Sequence, residues 1–143
     1  MSRSARSSSL CTCFKLRSLT RRVTQLYDQA LAPSGLTVTQ YSLLAHARRH
    51  DGPLTMGELA QLLFTDRTTL TRNLRPLAEA GLVKVAGGSD ARSKAVMVTK
   101  KGEHALRAAR PLWQETQARM RERAGAGRLT ALHELIEGML HAV

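Results

Sequence analysis

The order of local signals between residues 55 and 99 constrains the fold more than any other feature of this chain. Thr55-Met-Gly-Glu-Leu-Ala-Gln-Leu-Leu-Phe64 begins with a hydroxyl able to cap helix amides and has Glu58 three residues on, the pattern of a capping box before a short helix. Thr65-Asp66 then offers a second cap, and Leu70, Leu74 and Leu77 fall on one face of the helix expected from Arg67 to Ala80. Gly81 ends that helix, and Pro76 inside it removes one backbone bond, which predicts a bend or an altered last turn. Two short β-type runs follow, Leu82-Val-Lys-Val85 and Ala95-Val-Met-Val-Thr99, on either side of the polar, turn-rich segment Gly87 to Ser93.

A short helix, a tight turn, a helix stopped by glycine and a hairpin with a polar tip together make a winged helix-turn-helix. Helices are expected on both sides of it. From Leu10 to Leu31, Leu16, Leu19, Val23, Leu26, Tyr27 and Ala30 recur at spacings of three and four, until Ala32-Pro33-Ser34-Gly35 stops the pattern. A helix capped at Thr37 or Thr39 carries Tyr41, Leu43, Leu44 and Ala47 inward and ends at Asp51-Gly52-Pro53. Beyond Lys100 a long pattern runs through Leu106, Ala109, Leu112, Trp113 and Met120 to about Arg123, where Gly125-Ala-Gly127 interrupts it. A last helix uses Leu129, Leu132, Leu135, Ile136, Met139 and Leu140. Aromatic residues make up only 3% of the chain, so the core must come from Leu, Ala and Val, which suits helix-on-helix packing.

The fold class expected is therefore mostly α, a winged helix-turn-helix with a small β-hairpin wing and amino- and carboxy-terminal dimerisation helices. Residues 1–9 read as a disordered basic arm and 10–143 as one domain, with dimerisation helices over 10–34 and 100–143 and the DNA-binding lobe over 37–99. The dimer follows from apolar stripes on the first and last two helices that one small lobe cannot cover.

Charge is polarised along the chain. The net charge is +11; residues 1–22 carry six basic groups and no acid, residues 66–110 carry ten basic and four acidic, and from Glu115 onward the count is four against four. One surface suited to phosphates and another suited to protein is the arrangement this implies, with double-stranded DNA and a second copy of the chain as partners. At about 100° per residue, Thr68, Arg72 and Arg75 lie opposite the Leu70-Leu74-Leu77 face, with Thr69 and Thr71 on its flanks. Arginine binds guanine bidentately, and threonine reaches a phosphate or a thymine methyl. Two isolated arginines would be a solvated helix face. Here the helix has no acid from Arg67 to Ala78 and is followed by a basic wing, where Arg92 is placed to enter a minor groove, Lys94 follows it and Asp90 orders the loop. A winged-helix protein-interaction module is the alternative, but it has no reason to keep Arg72, Arg75 and Arg92 basic. No nucleophile, base and orienting group converge, and no glycine loop for phosphate is present, so an enzyme is not expected.

These residues resemble the MarR regulators from about Cys13 to His141. The matching pieces are Gly35-Leu-Thr-Val-Thr-Gln-Tyr-Ser-Leu-Leu44, Gly57-Glu-Leu-Ala60, Thr68-Thr-Leu-Thr-Arg72, Gly81-Leu-Val83, and Asp90-Ala-Arg92 with Val98-Thr99. The resemblance implies a homodimer whose terminal helices intertwine and carry two winged lobes onto a pseudo-palindromic operator. It implies a repressor released by a small-molecule effector, bound between the dimer helices and the lobe, or by oxidation. The first helix is similar to that of the family's organic-hydroperoxide sensors. That likeness puts Cys13 at their reactive cysteine and Tyr27 at one of the tyrosines that bond its thiolate, whereas Val38 fills the other partner position and donates no hydrogen bond. Cys13 and Tyr27 are fourteen residues apart on one helix, about 21 Å at 1.5 Å per residue, so they meet only across a dimer.

Cys11 and Cys13 are too few for a structural zinc site, and the five histidines have few acidic partners nearby, so no metal and no cofactor are expected. With no bilayer-length apolar run and no secretory segment, the expectation is a cytoplasmic protein without a membrane partner.

Overall fold

Four of the six α-helices, the second to the fifth, start at a side-chain cap. In the structure, a computed structural model that describes residues 10–87 and 93–143, α1 spans Thr12–Leu31 and a single 3₁₀ turn over Ala32–Ser34 ends on Gly35 at φ 77°. The basic arm expected over 1–9, and Asp90 and Arg92 at the wing tip, lie outside the described residues. Helix α2, Val38–Arg49, starts from a complete capping box: Thr37 accepts from the Gln40 amide and Gln40 accepts from the Thr37 amide. Thr55 and Glu58 form the same box at α3, Met56–Leu62. Asp66 caps α4, Arg67–Glu79, which runs through Pro76 before Gly81 turns the chain at φ 74°.

The wing is larger than the hairpin expected from sequence. Strands β2, Val83–Ala86, and β3, Ala95–Val98, pair antiparallel with Val83 opposite Val98 and Val85 opposite Val96. A third strand, β1 at Leu54–Thr55, adds to the far edge of β3 and gives the order β1-β3-β2. Two residues are too few to show a period, so β1 has no sequence signature; pairing of Leu54 with Val96 creates it. Val96 is buried in the middle of this small sheet, and the Met56 amide bonds to the Lys94 carbonyl, tying the sheet to the start of α3.

Helices α5, Lys100–Ala124, and α6, Ala126–Ala142, meet at Gly125 at φ 88°. The core joins α1, α2 and α5 to the winged lobe through Leu31, Leu43, Leu44, Leu59, Leu70, Leu77 and Ala109, with Trp113 stacked on Tyr41 at 5.7 Å between ring centres. Thr116, buried in α5, is satisfied by donating to the Leu112 carbonyl. By contrast, α6 buries only Leu129, and Leu135, Ile136, Met139 and Leu140 are exposed at 69%, 37%, 50% and 40%. On α1, Phe14, Leu16 and Leu19 are exposed as well.

Candidate nucleic-acid interface

Leu70, Leu74 and Leu77 are buried to 3% exposure or less, and this fixes the rotation of α4 about its axis. Thr68, Thr71, Arg72 and Arg75 are thereby held outside, with Thr69 half-buried on the flank, so one helix surface gathers all five residues expected there. Lys94 is exposed at the base of the wing. Asp66 accepts from the Thr69 amide at 2.8 Å and from the Thr69 hydroxyl at 2.9 Å. These two bonds hold its carboxyl below the usual carboxylate range.

Thr99 locks the far end of α4 in place, and no local motif announced it. Its hydroxyl donates to the Gly81 carbonyl at 2.6 Å and accepts from the Gly102 amide at 3.0 Å, while its own amide donates to the Leu82 carbonyl. One residue thus joins the end of α4, the wing and the start of α5. Gly102 permits the contact, because a Cβ there would lie 2.1 Å from the Leu82 carbonyl oxygen. A Thr three residues before a glycine is visible in the sequence as a helix start, but the Gly81 partner eighteen residues away is not.

A cavity of about 510 Å³ lies between α1, α2 and α5. Its walls combine apolar groups, among them Val23, Val38 and Leu106, with the stacked Tyr41 and Trp113. Arg48, Arg49, Arg107 and Arg110 supply cations against one acid, Glu103, which pairs with Arg48 at 2.8 Å. Burial pushes the Tyr41 phenol up, and Arg110 and Arg49 pull it back in part, so both guanidiniums act on the cavity wall. The floor is tied to the lobe by Asp28, whose carboxylate accepts from the Val38 amide at 2.8 Å at the start of α2.

The proposed sensor pair is not assembled within one chain. Cys13 is exposed in the first turn of α1. Tyr27 is buried, its phenol pushed up by that burial, and its hydroxyl donates to Gln117 on α5. His46 bonds the Ser42 carbonyl through Nδ1 at 2.7 Å, and the described residues contain no cluster of three metal-ligating side chains. No helix among them is long and apolar enough to cross a membrane.

Comparison with known proteins agrees with this architecture. The model of the MarR family matches residues 34–93. The transcriptional regulator MosR of Mycobacterium tuberculosis, solved in complex with DNA, is 42% identical with a TM-score of 0.82, covering 92% of this chain and 95% of that one. Transcriptional repressor CouR, a protein of Rhodococcus jostii RHA1, was solved on a 23-mer DNA duplex and is 26% identical with a TM-score of 0.77, covering 90% of this chain and 92% of that one. The uncharacterized HTH-type transcriptional regulator YwoH of Bacillus subtilis is 35% identical over 83 residues, which span 58% of this chain and 60% of that protein. With its order of helices, three-stranded wing and outward-facing α4, this chain belongs to the MarR family and is a DNA-binding transcriptional regulator of the winged helix-turn-helix class.

Proposed function

We propose that the chain is a repressor that grips a pseudo-palindromic operator as a homodimer, with 10–34 and 100–143 as dimerisation helices and 37–99 as the DNA-binding lobe. The apolar outer face of α6 carries this reading: Leu135, Ile136, Met139 and Leu140 stay exposed among the described residues, and α1 leaves Phe14, Leu16 and Leu19 open as well. Burying these faces against a second copy would place two α4 helices to enter successive major grooves about 34 Å apart. Thr68, Thr69, Thr71, Arg72 and Arg75 then meet base edges and phosphates, Lys94 a phosphate, and Arg92, ordered by Asp90, the minor groove. A repressor on DNA is among the structural relatives.

A footprint of the protein on the DNA upstream of its own coding region gives the operator and the half-site spacing. On that operator, Arg72→Ala weakens binding by about 1–3 kcal/mol and relaxes specificity at one base pair per half-site, whereas Arg92→Ala weakens it without changing the preferred sequence. Fluorescence anisotropy measures both. Unchanged affinity in the two variants would remove α4 and the wing from the DNA face.

Release is proposed through the cavity between α1, α2 and α5, which takes a small anion with an apolar body: four arginines face one glutamate around the Tyr41-Trp113 stack. Thiol oxidation is the second reading, favoured by the exposure of Cys13 at the amino end of α1, with Lys15 and Arg17 nearby in sequence. A peroxide would take the thiolate sulfur to sulfenic acid and leave as alcohol or water; a second thiol would then displace water and close a disulfide. Under that reading mild peroxide releases DNA from the parent protein, reductant restores binding, and Cys13→Ser binds DNA normally but ignores peroxide. Indifference of the parent to peroxide, together with displacement by small aromatic acids, would assign sensing to the cavity alone.

A further inference from the structure

Two of the three threonine hydroxyls on the leading edge of α4, those of Thr69 and Thr71, have their protons committed inward. Thr69 Oγ1 lies 2.9 Å from Asp66 Oδ2, and Thr71 Oγ1 lies 2.8 Å from the Arg67 carbonyl oxygen. A carbonyl accepts only, so Thr71 must be the donor in its pair. The Asp66 carboxyl accepts the Thr69 amide and hydroxyl together and is held ionised by them, so it too accepts only, and Thr69 is the donor. Each hydroxyl oxygen therefore presents lone pairs, and no proton, to anything that approaches from outside.

That polarity restricts what the edge can read. Phosphate oxygens, guanine O6 and N7, and thymine O4 are all acceptors, and they are repelled by an oxygen with no proton to offer. The ionised Asp66 beside it repels phosphate as well, which removes the attraction that a helix amino end otherwise holds for anions. In the major groove, the exocyclic amino groups of adenine N6 and cytosine N4 are the donors. Arg72 and Arg75, farther along the same exposed surface, are donors that suit guanine.

We infer that Thr69, oriented by Asp66, is a specificity-determining residue that accepts a hydrogen bond from a base amino group, adenine N6 or cytosine N4, and does not contact a phosphate. The inference rests on α4 being the helix that enters the groove. Asp66 acts as a positioning residue: it sets the direction of the Thr69 hydroxyl.

The test uses the full-length protein and its footprinted operator. Adenines in each half-site are replaced one at a time by unsubstituted purine, which lacks the N6 amino group, and cytosines by 2-pyrimidinone, which lacks N4. At one position per half-site the analogue should weaken wild-type binding about three- to tenfold, while Thr69→Val, similar in shape but without the hydroxyl, should show no further loss there. Asp66→Asn makes the sharper prediction. Asparagine also caps helices well, so α4 is retained, as thermal melting would verify. Its carbonyl keeps the Thr69 amide and its NH₂ donates to Thr69 Oγ1, which turns the hydroxyl proton outward. The preferred base at that position should then change from an amino to a keto base, guanine or thymine.

If every analogue costs wild type and Thr69→Val equally and Asp66→Asn keeps the parental preference, Thr69 is a helix cap and the inference is wrong. Arg72→Ala run alongside separates the causes. A loss of binding there leaves the groove assignment of α4 standing, and full affinity overturns that assignment and the inference with it.

Discussion

Deleting Leu129–Val143 should turn the protein into a monomer or an aggregate and lower its affinity for a full palindromic operator by about 10²- to 10⁴-fold. A dimer binds its second half-site intramolecularly, so a monomer loses the effective concentration that tethering provides. The deletion removes the exposed row Leu135, Ile136, Met139 and Leu140 and uncovers the part of α5 that α6 contacts. A gentler variant separates assembly from folding. Leu135 and Met139 are 69% and 50% exposed in one chain, so Leu135→Glu with Met139→Glu costs the protomer fold little while placing buried carboxylates in a dimer seam. Sedimentation velocity should report a soluble monomer, and anisotropy a loss of affinity for the palindrome close to that of the deletion. A monomeric variant with parental affinity for the full palindrome would contradict the shared-core dimer.

Gly102→Ala should lower the melting temperature by about 3–10 °C and weaken DNA binding in the surviving folded fraction. The new Cβ would lie 2.1 Å from the Leu82 carbonyl oxygen and 2.8 Å from Val98 Cγ1; the first is backbone and cannot rotate aside. Helix α5 must move away, and the Leu82 carbonyl that it meets is the acceptor of the Thr99 amide. The displacement therefore disturbs the residue that holds the end of α4 through Gly81. Overpacking of this kind costs about 1–3 kcal/mol. Gly127→Ala is the control: nothing lies within 4 Å of its added Cβ in α6, and alanine favours a helix, so its melting temperature should stay level or rise slightly. Scanning calorimetry on the three proteins decides the matter, and equal melting temperatures would mean that α5 approaches the wing less closely than the structure has it.

The exposed side of α4, proposed to face DNA, was legible in the sequence, because helix rotation is a local property. Leucines at 70, 74 and 77 declare which side of α4 is buried, and Thr68, Arg72 and Arg75 are outside by subtraction. The cap at Thr55 was legible for the same reason, and those at Thr37 and Asp66 to within two residues, since the atoms that make them lie within three residues of one another. The direction of the Thr69 hydroxyl belongs to this class too, yet it needs the distances, because the sequence pattern Asp-x-x-Thr does not say which oxygen meets which proton.

The contacts that convert these helices into a regulator were decided by tertiary structure. Strand β1 exists through its pairing with β3, and Thr99 acquires its second role from a carbonyl eighteen residues away. The resemblance to the hydroperoxide sensors implies Tyr27 as a partner for a cysteine; in the fold its hydroxyl is held by Gln117, ninety residues along the chain. The four cavity arginines come from α2 and α5, and nothing in either helix announces that the other will face it. Periodicity and capping act over one or two helical turns and are carried by neighbouring residues, whereas a cavity, a close glycine contact or a cross-chain seam depends on where distant segments come to rest. Such features arise from packing the whole core, so no single stretch of sequence encodes them.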